Sequence, residues 1–167
     1  VGIPEVDPTA GSPMLKVGAR LLRPRPVRYL LRHGAHRIDR QLLRLSNGRI
    51  STAMVTPELL LTTTGARSGE PRVTPLTYFT DNGRVIVVAS NYGGRRHPAW
   101  YHNVRANPRV TLAAGGYQGT FLGEEVMGAE RDRLWQIAKE WIPSYADYEQ
   151  MTGGRTIPIL AFSEISV

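Results

Sequence analysis

Between residues 59 and 111 the chain gathers glycines, arginines, hydroxyls and an amide in an order that suits the grip of a flat, anionic ligand. Gly65, Arg67, Ser68, Gly69 and Arg72 follow an apolar run as a basic turn. Glycines let successive backbone N–H groups face inward as an anion nest, and arginines add charge-assisted hydrogen bonds to phosphate or carboxylate. The same residues also describe an ordinary glycine turn with solvated arginines, and GARSG is neither a P-loop nor a Rossmann fingerprint. Further on, Ser90 and Asn91 close the apolar run Val85-Ile86-Val87-Val88-Ala89 with two side chains able to hydrogen-bond a heterocycle. Tyr92-Gly93-Gly94-Arg95-Arg96 is a loop whose glycines permit close approach to a ligand. Trp100 and Asn103, three apart, share a helical face. Tyr145 and Tyr148, also three apart, can close over a flat substrate and hydrogen-bond its oxygen, or plug a core.

A catalytic dyad is missing from this set. The chain has no cysteine, and its four histidines, His33, His36, His97 and His102, show no ligand spacing with a carboxylate, so no metal is expected. No amino-acid side chain donates a hydride. A chain built to hold a flat anion and lacking its own nucleophile or metal therefore borrows its chemistry from a cofactor.

The elements that must position these residues are mostly strands. Stretches rich in β-branched and apolar residues predict strands over 59–64, 72–80, 84–90, 109–113, 118–125 and 156–162. Asp81-Asn82-Gly83 predicts a tight hairpin, because Asn and Gly tolerate positive φ. Pro98 predicts the first position of a short helix ending at Asn107-Pro108, and a second helix is expected over 129–141, stopped by Pro143. A tyrosine-bearing turn is expected over 144–151. Hairpin connections argue against a doubly wound sheet and for a small, partly open barrel. The fold class expected is mainly β (α+β), one domain over 51–167.

Upstream, a disordered or extended tail is expected over 1–13 and a basic helical segment over 14–50. Within it, apolar residues recurring from Val27 to Leu45 predict an amphipathic helix, with arginines on its other sides. The net charge is +7, and residues 1–50 carry all of it. Such a helix is a scaffold element or an interfacial one lying on anionic lipid; no nucleic-acid signature accompanies the charge. The absence of cysteine, of a signal-peptide pattern at the start and of a long apolar run fits a cytoplasmic protein, with possible peripheral contact at the inner membrane face.

Several ordered blocks carry a resemblance more specific than any one motif: LLTTTG-x-x-SG-x-PRV-x-PL, RVIV-x-AS, HPAWY-x-N-x-x-ANP-x-V, PSY-x-DY and RTIPI. Together they resemble the deazaflavin-dependent nitroreductase family and its F420H2-dependent quinone reductase-like members. The resemblance implies a split β-barrel related to FMN-binding barrels, with coenzyme F420 as hydride donor to quinones, activated enones or nitroaromatics. It implies that Ala66, Arg67, Ser68 and Arg72 hold the phosphate and glutamate tail. It also implies that Val73, Thr74, Pro75, Leu76 and Thr77, then Val88, Ala89, Ser90 and Asn91, then Ala99, Trp100, Tyr101, His102 and Asn103, line the deazaflavin channel. Ser90 is expected near the ring, and Tyr145 and Tyr148 over the substrate pocket, as the catalytic set. Ala66, Thr77, Asn91 and Ile142 depart from the residues common in the family and bear on substrate range. FMN on the same barrel, or a carrier of deazaflavin or lipid without activity, are the competing readings, and a homodimer is possible.

Overall fold

The computed structural model describes residues 2–9 and 56–165. The segment expected as a basic helix, and the domain boundary placed at residue 50, lie outside the described residues. The described residues form six strands and three α-helices: β1 (Glu58–Thr64), β2 (Pro71–Asp81), β3 (Arg84–Val88), α1 (Ala99–Ala106), β4 (Arg109–Ala114), β5 (Tyr117–Glu125), α2 (Gly128–Trp141), α3 (Ser144–Met151) and β6 (Ile159–Glu164). All neighbouring strands are antiparallel, in the order β1-β2-β3-β6-β5-β4.

The barrel is closed, where a partly open one was expected. Closure comes from β1 pairing with β4, Leu60 opposite Ala113 and Leu61 opposite Leu112. Strand alternation divides the core in two. Leu59, Leu61, Val85, Val87, Leu112, Leu160 and Phe162 point into the barrel. Ile86, Val88, Ile159 and Ala161, on the opposite faces of β3 and β6, pack under Leu134, Trp135, Ala138 and Trp141 of α2. β3 is therefore apolar at every position because both of its faces are covered.

β2 is the long strand, and it changes partner. Its first part, Pro71 to Thr77, pairs with β1; its last part, Tyr78 to Asp81, pairs with β3. Between Pro71 and Thr77 β2 has no ladder to β3, and the wall is split there. At the far end of the barrel, Asn82 (φ 50°) and Gly83 (φ 73°) make the expected left-handed hairpin turn. Asp81 receives both guanidinium nitrogens of Arg133, at 2.9 and 2.7 Å, and Arg84 reaches Glu130, so α2 is pinned to this hairpin by charge. Arg133, ahead of burial, holds the Asp81 carboxyl below the usual carboxylate range.

The same end is sealed by residues 2–9, the part described of the segment expected to be disordered or extended. The Val6 amide donates to Thr80 Oγ1 at 2.9 Å, and the Thr80 amide donates to the Val6 carbonyl at 2.9 Å. Tyr78 donates its hydroxyl to the Pro4 carbonyl at 3.1 Å, and Ile3 and Val6 pack on the core. Polar, proline-rich composition masked these two apolar anchors.

Candidate active site

The site end of the barrel is the opposite one, where β1, β3 and α1 meet. The basic turn after β1 is tight. Gly65 donates to the Glu70 carbonyl at 2.8 Å, Gly69 (φ 69°) donates to the Gly65 carbonyl at 2.8 Å, and the Glu70 amide donates to Ser68 Oγ at 3.3 Å. A β-carbon at Gly65 would stand 2.6 Å from Ser68 Oγ. The Ala66 amide donates to Asn103 Oδ1 at 3.0 Å, and Asn103 Nδ2 donates to Thr63 Oγ1 at 3.1 Å. The amides of Gly65, Ala66, Gly69 and Glu70 are spent inside the protein, so these four are closed to an anion, and the arginine side chains supply the charge. Arg67 and Arg72 are exposed, Arg72 steadied by Ser68 Oγ at 3.4 Å, and among the described residues no carboxylate pairs with either.

The second wall is the loop after β3. The strand ends at Val88 rather than at Ser90, and Ala89 donates instead to the Pro158 carbonyl at 2.9 Å. Ser90 has helical dihedrals and starts a 3-10 turn, Asn91–Gly93. Asn91 (φ 49°) and Tyr92 (φ 52°) are left-handed, which for a side chain like tyrosine costs about 1–2 kcal/mol. Asn91 Nδ2 donates to the Arg96 carbonyl at 2.9 Å, and Gly94 donates back to the Asn91 carbonyl at 2.9 Å. The side chain of Arg155 enters this loop. It donates to the carbonyls of Ala89 (3.4 Å), Ser90 (2.8 Å) and Gly94 (3.1 and 2.9 Å) and lies 3.0 Å from His97 Nδ1. Burial, and then the Arg155 charge, push the His97 pKa down, so its ring is neutral at pH 7.

α1 lies between the two walls. Pro98 caps it with extended dihedrals rather than opening it. Trp100, Tyr101 and Val104 are buried in the barrel, while Ala99 and His102 are exposed. Tyr101 donates to Glu125 Oε2 at 2.8 Å and stacks on His97, centroids 4.7 Å apart. Asn103 is half-buried and serves as the link between α1, β1 and the basic turn. On β2, alternation puts Val73, Pro75 and Thr77 on one face and Thr74 and Leu76 on the other. Val73 packs outside with Leu60 and Ala113, and Leu76 packs against the interior cluster. These five side chains do not share a surface, so only one alternate set can face a channel.

The tyrosines stand on α3, a full helix where a turn was expected; Ala146, Glu149, Gln150 and Met151 are good helix formers. Tyr145 is buried, its ring 5.9 Å from Trp135 and 6.0 Å from Tyr148. Burial, and then the neighbouring Tyr148 and Tyr92 phenols, push its pKa well above the ordinary phenol value, so its O–H stays protonated. Tyr148 reaches Tyr92 at 6.2 Å. α3 rests on Gly93, where a β-carbon would fall 2.9 Å from Met151 Cβ and 3.0 Å from Tyr148 Cα. Ser90 and Tyr148 are thereby joined through the 3-10 turn. The sequence assigned no role to Arg155 or Glu125, and it read Gly93 as making room for a ligand, whereas the neighbours that crowd it are Tyr148 and Met151 of α3. For Arg155 a signal existed: Gly153 and Gly154, both left-handed here, are what let the chain turn the arginine into the loop.

Among the described residues no group of three His, Asp or Glu could hold a metal, and no helix is long and apolar enough to cross a membrane. The residues present do fit a flat cofactor with an anionic tail. Over Pro71–Thr77 β2 carries no ladder to β3, two guanidinium groups without carboxylate partners among the described residues stand at one rim, and polar backbone is held at the other.

Comparison with known proteins gives the family. The model of the F420H(2)-dependent quinone reductases matches residues 35–164, and the chain belongs to that family. It is 38% identical over 148 residues to an F420H(2)-dependent quinone reductase of Mycobacterium tuberculosis, covering 81% of this chain and 96% of the relative. A shorter putative F420H(2)-dependent quinone reductase of the same organism is 36% identical over 106 residues, 62% of this chain and 87% of its own. A solved F420-H2 dependent reductase is 41% identical, with a TM-score of 0.58, over 64% of this chain and 94% of that one. A second solved structure, described as a domain-swapped dimer, is 36% identical, with a TM-score of 0.59, over 75% of this chain and 96% of that one. The protein is an oxidoreductase with reduced coenzyme F420 as its cofactor.

Proposed function

We propose that the split end of the barrel is where a quinone is reduced. The observation that carries this reading is the pair Arg67 and Arg72, exposed and, among the described residues, without carboxylate partners, on a turn that Asn103 holds in place. They bind the phosphate and glutamate tail, with Ser68 orienting Arg72. The Ser90–Asn91 corner and the α1 face from Ala99 to Asn103 receive the flat ring. When bound, the cofactor supplies a hydride. The chain's own residues hold the acceptor carbon within about 3–3.5 Å of the ring and keep water out. Tyr145, protonated through the physiological range, and Tyr148 hydrogen-bond the quinone oxygen as charge develops there. One of these hydroxyls, or water, relays the single proton that, together with the hydride, completes the quinol.

Activated enones and nitroaromatics are accepted by the same electronic logic, with Ile142 and Thr77 limiting their fit. The excess positive charge of residues 1–50 supports peripheral attachment to anionic lipid, where hydrophobic quinones dissolve. Pairing of two copies is part of the same proposal and is checked by the mass in solution.

The test is a titration of tryptophan fluorescence with coenzyme F420 and, in parallel, FMN. It is followed by absorbance decay of reduced F420 with menadione, cyclohexenone and a nitroimidazole. F420 is expected to bind and menadione to be the fastest acceptor. Arg67→Ala with Arg72→Ala is expected to weaken F420 by about a hundredfold, two charged contacts at about 1.5 kcal/mol each. Tighter binding of FMN, unchanged affinity in the double variant, or binding without turnover would each overturn the reading.

A further inference from the structure

Arg155 is a charged side chain whose hydrogen bonds all land on one short segment. It reaches the carbonyls of Ala89, Ser90 and Gly94 and the ring nitrogen of His97, and among the described residues it pairs with no carboxylate. A guanidinium carries only donors, so His97 Nδ1 must be the acceptor and the imidazole proton must sit on Nε2. That segment contains the left-handed Asn91 and Tyr92, a shape the chain does not hold unaided. It also contains Ser90, at the corner assigned to the ring. From the other side α3 presses on Gly93. The stretch from α3 to Arg155 therefore clasps the loop twice, by contact at Gly93 and by hydrogen bonds at its carbonyls.

We propose that Arg155 is a positioning residue for the cofactor: its planar fork braces the Ser90–His97 loop, with the neutral His97 ring as its last support, in the shape that receives the flat ring. This rests on the reading of the site given above, and the experiment separates the two.

The measurements are amide hydrogen exchange without any ligand and fluorescence titration with coenzyme F420, on the intact chain and on Arg155→Met and Arg155→Lys. In Arg155→Met the amides of Gly93 and Gly94 are expected to exchange at least about tenfold faster, while the β3 ladder amides of Val85 and Val87 keep their protection. F420 affinity is expected to fall by about tenfold or more, the loss of at least one charged hydrogen-bond network. Arg155→Lys keeps the charge without the fork and is expected to remain defective in both measurements. The nitrogen resonances of His97 should report an Nε2-protonated ring in the intact chain and lose that preference in Arg155→Met.

Unchanged exchange at Gly93 and Gly94, faster exchange with unchanged affinity, or full recovery by lysine would each overturn the proposal. If F420 binds neither the intact chain nor the variants, the functional reading fails. The brace is then judged on exchange alone, and unaltered loop exchange refutes it. Where Arg155→Met does not fold, Arg155→Lys carries the comparison.

Discussion

The backbone amide of Ala66 donates to the side-chain oxygen of Asn103, 3.0 Å away and on a different element. The other end of the same carboxamide holds Thr63 at 3.1 Å. One residue on α1 thus fixes both the end of strand β1 and the basic turn that follows. Asn103→Ala should destabilise the fold by about 1–2 kcal/mol, two bonds partly replaced by water. It should also weaken cofactor binding, because Arg67 and Arg72 lose their fixed base. Asn103→Asp can still accept from Ala66 but cannot donate to Thr63, and should fall between. Thermal unfolding and fluorescence titration of the three proteins check the order.

Gly93 carries a second prediction. Its φ of 73°, and the Met151 and Tyr148 atoms only 2.9–3.1 Å from where a β-carbon would sit, leave no room for a methyl group. Gly93→Ala should cost about 1–3 kcal/mol and push α3 outward. Cofactor binding should suffer less than quinone turnover, since the displaced element carries Tyr145 and Tyr148. A KM and kcat comparison with menadione reads this out. Equal losses in cofactor affinity and in turnover would mean that α3 does not cover the acceptor.

The strands were largely legible in the sequence, and the reason is local. Alternation in β3 follows from Val85 and Val87 facing inward and Ile86 and Val88 outward, and the Asn82-Gly83 turn follows from its dihedral demand. What was not legible depends on distant pairs. Closure by β1 and β4, the partner change within β2 and the anchoring of Val6 on Thr80 leave no period in the chain. Arg155 reads as one more solvated cation until the fold brings three carbonyls to it. The final strand starts at Ile159, three residues later than expected, because Pro158 has no N–H for a ladder. Proline composition likewise obscured α3, whose residues otherwise favour a helix.

Acid stability should report the hairpin clamp. The Asp81 carboxyl titrates below its unfolded value in the folded chain, chiefly through Arg133. Its contribution is therefore present above the ordinary carboxylate pKa of about 4 and is lost as pH falls through the depressed folded value. Asp81→Asn should lower stability at pH 7 by about 1 kcal/mol, a bidentate pair near the surface. It should also narrow the stability gap between pH 7 and about pH 3. Urea unfolding of both proteins at the two pH values tests this. A gap as wide in the variant as in the parent would assign acid sensitivity elsewhere.

Tyr145 should influence rate more than fold. Tyr145→Phe keeps the ring packed on Trp135 and removes only the hydroxyl. Quinone turnover is expected to fall by about 10²-fold if that hydroxyl meets the developing charge, with little change in melting temperature. Because burial raises its pKa, the parent enzyme should show no loss of rate from this phenol up to about pH 10. A profile that declines near an ordinary phenol pKa and flattens in Tyr145→Phe would contradict that environment.

β6 lies between β3 and β5, so the sixth strand made fills the gap left by two earlier ones. During synthesis the third and fifth strands must wait with bare edges, and the rows that later meet Leu160 and Phe162 stay wet until the end. Contacts this remote in sequence make for sluggish refolding.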